Sequence, residues 1–181
     1  MAALVVMTPR SGWWRCASER GGGIACWLEM MRAIREAGAA RDVIFTANTG
    51  HELGHTGLDH WLDTNGHLLD SASMWIHLGA NFAARYNPAI RLQYSDNDAR
   101  NLTEEFLSRH ELAPAVMTPM GERPLGEARN VYDGNGRYIS ILGGNGLFHH
   151  PDDVWPDAVD LETTTAWISA FTELGVHLAG D

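Results

Sequence analysis

Strand-like and helix-like stretches alternate along this chain, and no other feature constrains its fold as strongly. LVVM (4–7) is a short apolar run of the kind buried inside a sheet, and VIFTAN (43–48), MWIHLG (74–79), AIRLQY (89–94) and RYISILG (137–143) are rich in β-formers. Ile24, Trp27, Leu28, Met31 and Ile34 fall on one face of a helix over about 22–37, which Gly38 ends. HELGHTGLDHWL restarts a helical pattern, another helix lies near 102–110, and a last one opens at Asp160 as N-cap with a stripe of Leu161, Ile168, Phe171, Leu174 and Leu178. This alternation predicts an α/β fold, and 181 residues with 45% hydrophobic side chains suffice for one domain with a substantial core.

Charge narrows the function. The net charge is −10 and every basic residue is arginine, so a nucleic-acid backbone is repelled and lysine chemistry, Schiff bases included, is excluded. No apolar run approaches the roughly 20 residues that span a bilayer, and MAALVVMTPR is interrupted too soon by Pro9 and Arg10 to be a signal peptide. A cytoplasmic protein with no membrane or nucleic-acid partner is expected. Cys16 and Cys26 lack metal-knuckle spacing and read as buried free thiols.

HELGH (51–55) matches the HExxH of zinc proteases, in which one helical face carries two imidazoles. Here Gly50 separates the motif from a strand by one residue, placing His51 and Glu52 at a strand's carboxyl end, where open α/β sheets bind ligands. His60 follows His55 by five residues rather than the six of HExxHxxGxxH, which turns it about 140° off the shared face. A zincin is therefore disfavoured, and a helix starting at or just after His51 should aim Glu52 into the cleft while His55 faces elsewhere.

Four segments in order resemble the co-catalytic zinc aminopeptidases, the group that includes bacterial leucyl aminopeptidase, aminopeptidase Y, glutamate carboxypeptidase and the glutaminyl cyclases. VIFTANTGHELGHTGLDHWL is similar to the family's strand–TGEELGLxGS–helix, CASERGGGIACWLEMMRAI to its GANDDGSGVAALLELARAL, MWIHLG to its next strand, and FHHPDDVWPDAVDLE to its HTPxDTxDxVD. The resemblance spans most of 4–178 and implies a mostly parallel mixed sheet with helices on both faces.

Carried over residue by residue, the bridging aspartate falls on Glu19, the metal-binding glutamate on Glu52 and the late histidine on His149. The early His-x-Asp falls on Pro9 and Ser11, the later aspartate falls near Gly79, and the general-base glutamate is His51. The resemblance thus implies a single zinc ion held by Glu19, Glu52 and His149, with His51 relaying a proton in hydrolysis of a peptide or small amide. A catalytically inactive pseudo-peptidase that binds without metal is the alternative, and cyclase-like acyl transfer on one zinc a weaker one. Glu19 also reads as a plain helix-start carboxylate. Trp13 and Trp14 can floor an apolar substrate pocket or pack in the core or an interface; the remaining histidines, His55 and His77 among them, read as ordinary polar or packing residues. Because the family carries further strands ahead of the one matching LVVM, an apolar edge should be left open there, met by a missing N-terminal segment or a homodimer.

Overall fold

The computed structural model describes residues 1–181. In chain order it contains β1 (Leu4–Pro9), α1 (Gly21–Ala37), β2 (Val43–Asn48), a 3-10 turn (His51–Leu53), α2 (Thr56–Asn65), α3 (Leu68–Ser71), β3 (Met74–Leu78), β4 (Ala89–Tyr94), α4 (Asn97–Arg109), β5 (Val116–Met117), α5 (Ala128–Asp133), β6 (Tyr138–Gly144) and α6 (Leu161–Gly180). One six-stranded sheet has the order β2-β1-β3-β6-β4-β5, and only the β4–β6 pair is antiparallel. The expected α/β fold with a mostly parallel mixed sheet is the one observed.

Alternation along the strands divides the core into two layers. Leu4 and Val6 of β1, Met74, Ile76 and Leu78 of β3, and Ile139 and Ile141 of β6 point to one face, where they pack with Met30 of α1, Phe106 of α4 and Phe171 of α6. Val5 and Met7, Trp75 and Tyr138 point to the other face and meet Leu58 of α2, Leu68 of α3 and Val131 of α5. Helices therefore cover both faces. Asp160 caps α6 as predicted, its carboxylate accepting from the Thr163 amide.

Three expectations change. The helix near 102–110 begins earlier, at Asn97, because Asp96 caps it by accepting from the Ala99 amide. No helix starts at His51: the chain makes a 3-10 turn, His55 takes a left-handed conformation (φ 72°), and α2 begins only at Thr56. The first strand leaves no open edge, since β1 pairs with β2 on one side and β3 on the other, and the sheet's edges are β2 and the two-residue β5. No helix is long and apolar enough to cross a membrane.

Candidate functional site

Loops leaving the carboxyl ends of β1, β2, β3 and β6 converge, and they bring Glu19, Glu52 and His149 together. One ligand atom from each lies within 4.8 Å of the others. Glu19 is fully buried and is positioned by Asp153, itself buried, whose carboxylate accepts from the Ser18 amide (2.7 Å), the Ser18 hydroxyl (2.7 Å) and the Glu19 amide (2.9 Å). The His149 amide donates to Glu19 Oε2 (3.3 Å), and its ring stacks on Phe148. Ser11 donates to Glu52 Oε2 (3.3 Å) and accepts from the His51 amide (3.3 Å), tying the loop after β1 to the loop after β2.

A cation already sits among these carboxylates. Arg20, 3% exposed, donates from Nε to the Ser11 carbonyl (2.7 Å) and from Nη2 to Glu52 Oε1 (2.6 Å), and Nη2 lies 2.9 Å from Glu19 Oε1. Burial alone would raise the Glu52 carboxyl, but the Arg20 hydrogen bond and charge, with help from a backbone amide and His51, hold it below the ordinary carboxylate range. The residues expected to hold zinc are brought together, yet the guanidinium bridges the two carboxylates that an ion would have to share. While Arg20 stays, this trio does not fit a metal. The sequence signal was a lone arginine directly after Glu19, but nothing local said that it folds back between two acids.

His51, next to Glu52 in the chain, belongs to a second cluster, with His55 and Glu127, which sequence reasoning missed. His51 and His55 stack with ring centroids 5.0 Å apart. A 3-10 turn and the left-handed His55 connect the two rings in place of the expected continuous helix. Glu127, 1% exposed and just ahead of α5, meets both ends of the cluster: Oε1 lies 2.7 Å from His51 Nδ1 and Oε2 3.1 Å from His77 Nε2. His77 is thus no ordinary packing histidine; a histidine inside the buried run MWIHL was the signal that a partner had to exist.

The network beneath is built into the sheet. His77 of β3, Ser140 of β6 and Gln93 of β4 are paired across neighbouring strands and project to one face. Gln93 is fixed by the Leu125 backbone, its Oε1 accepting the amide (2.7 Å) and its Nε2 donating to the carbonyl (3.1 Å), so Nε2 also donates to Ser140 Oγ (3.0 Å). Ser140 Oγ lies 2.8 Å from His77 Nδ1, and Nε2 of His77 donates to the Glu127 carboxylate. Gly79 and Gly126 make room, since a Cβ at either would come within 2.8 Å of His77 Cε1. Burial would raise the Glu127 carboxyl, but hydrogen bonds from His51 and His77, and their charge, hold it well below the ordinary range. Burial lowers His55 and so favours its neutral imidazole, opposed by the hydrogen bond to Asn130.

His51 and His77 line a cleft of about 400 Å³ together with Asn81, Asn145 and Phe148. Trp13 and Trp14 lie on the loop between Ser11 and Cys16 and are 57% and 58% exposed, so they do not pack in the core.

Carboxylates and imidazoles are thus gathered over the carboxyl ends of the parallel strands of an α/β domain. Solved structures that include aminopeptidases share this fold. The aminopeptidase from Aneurinibacillus sp. strain AM-1 superposes with a TM-score of 0.81 at 13% identity, covering 98% of this chain and 43% of that one. BSAP, a zinc aminopeptidase from Bacillus subtilis, gives 0.79 at 14% (99% and 47%), and LapB from Legionella pneumophila gives 0.76 at 20% (100% and 53%). The chain spans about half the length of these structures. No protein-family model and no curated protein matches the sequence.

Proposed function

We propose that this domain is a pseudo-peptidase: a zinc-aminopeptidase fold that binds peptide-like or small amide ligands in its cleft and does not hydrolyse them through the family's metal position. One observation carries the reading, the Arg20 guanidinium held between Glu19 and Glu52. A tethered monocation offsets one of the two carboxylate charges but has no open coordination site, so it neither activates water nor polarises a carbonyl as a metal does. The base position supports the same reading, because His51 replaces the family's glutamate and its Nδ1 is engaged by Glu127. Asn81, Asn145 and Phe148 give the cleft amide groups and one apolar wall, and the exposed Trp13 and Trp14 suit an apolar peptide side chain.

The test pairs binding with turnover. Tryptophan fluorescence titrated with short peptides bearing an apolar N-terminal residue should change saturably, while aminoacyl-anilide cleavage in added zinc stays at background. Zinc-dependent cleavage that disappears in both Glu52→Ala and His149→Ala would instead establish the single-zinc hydrolase expected from the sequence. No response to any peptide would remove the binding role.

A further inference from the structure

We infer that His51, His55 and Glu127 form a binding site for a zinc-like divalent cation, separate from the Glu19–Glu52–His149 position. One ligand atom from each of the three lies within 4.8 Å of the others. Two ligands about 2.1 Å from one tetrahedral ion stand about 3.4 Å apart, so the trio need close by at most about 1.4 Å, within the reach of side-chain rotation. Two imidazoles and one carboxylate are also a donor set that zinc uses in catalytic sites.

The surroundings point to a ligand independently of that spacing. Asp59 is an acceptor, so the Asn130 amide must turn Nδ2 toward it (2.7 Å), which leaves Asn130 Oδ1 facing His55 Nδ1 (2.9 Å). Nδ1 of His55 therefore carries the proton, and Nε2 keeps its lone pair for a cation. The chain from Gln93 through Ser140 and His77 likewise engages Oε2 of Glu127 and leaves Oε1 turned to His51. Hydrogen bonds that fix a histidine tautomer and hold a carboxylate from behind are the supports by which proteins orient metal ligands. An ion entering from the cleft reaches His51 first, since its side chain is 19% exposed while that of Glu127 is 2% exposed. It would release to solvent the proton shared between His51 Nδ1 and Glu127 and leave a coordination position for water or a cleft ligand.

This site does not depend on the pseudo-peptidase reading, and its test separates the two. Chelator-treated protein is titrated with Co²⁺, followed by visible absorption, and with Zn²⁺ in competition. His55→Asn, which tolerates the left-handed backbone, and Glu127→Gln should each abolish the cobalt spectrum. Asn130→Ala should weaken binding by about 10- to 100-fold by freeing the tautomer. Glu52→Ala and His149→Ala should bind as the parent does. Circular dichroism confirms that each variant is folded. Binding lost in Glu52→Ala and His149→Ala but kept in His55→Asn overturns the inference and puts the ion at the family position; a parent that binds neither metal overturns it outright.

Discussion

Arg20 Nη2 lies 2.6 Å from Oε1 of Glu52, and the two side chains are 3% and 7% exposed. Removing one member of a buried ion pair strands the other, so Arg20→Leu should cost about 3–5 kcal/mol in urea unfolding. Removing Glu52 as well relieves one of the two stranded carboxylates and leaves Glu19, so Arg20→Leu with Glu52→Leu should recover only part of that loss. A single variant costing under about 1 kcal/mol would mean that the pair is not formed in solution.

Asp153 makes a separate prediction about what positions Glu19. Its buried carboxylate accepts three hydrogen bonds from Ser18 and Glu19, and Asp153→Ala would leave those donors without their acceptor. The expected cost is about 3 kcal/mol. The segment between Arg10 and Arg20 should become the first point of limited proteolysis; an unchanged cleavage pattern would show that Asp153 does not hold the loop.

Gly126 has φ +64° and sits against His77, whereas Gly121 has φ +85° and open space around the position of a Cβ. Alanine at Gly121 should cost only the left-handed backbone penalty of about 1–2 kcal/mol. Alanine at Gly126 should cost at least about 1 kcal/mol more, because the methyl displaces the imidazole from Glu127. Thermal denaturation gives the difference, and the His77 ring resonances should move in Gly126→Ala alone. Equal costs would show that the imidazole yields freely.

Asp96 links stability to pH. Burial would raise its carboxyl, but hydrogen bonds from Arg137, the Ala99 amide and Ser95 lower it from an ordinary 3.8 to about 2. A lowered folded-state value means stability that is present above the ordinary value and lost as pH falls from about 4 toward 2. Asp96→Ala should therefore cost about 1 kcal/mol or more near neutrality, as an N-cap does, and progressively less as pH falls from about 4 through 2. A cost independent of pH would assign the effect to packing.

The sequence by itself determined the fold class, because strand and helix periodicity are written into neighbouring residues. Val43–Asn48 and Ala89–Tyr94 match the predicted strands residue for residue, and Asp160 caps the last helix by a contact three residues away. Motif order along the chain also brought Glu19, Glu52 and His149 to one place. Tertiary structure alone decided what these residues do. A 3-10 turn and one left-handed residue, His55, set the two histidines of HELGH face to face. Glu127 reaches His51 across 76 positions and His77 across 50, with no local pattern to announce it. Arg20 follows Glu19 directly, yet its role depends on Glu52, 32 residues away, lying within reach of its side chain. Hydrophobic periodicity is a local property and survives in the sequence; the charge balance of a buried cleft depends on which distant side chains the packed loops bring together.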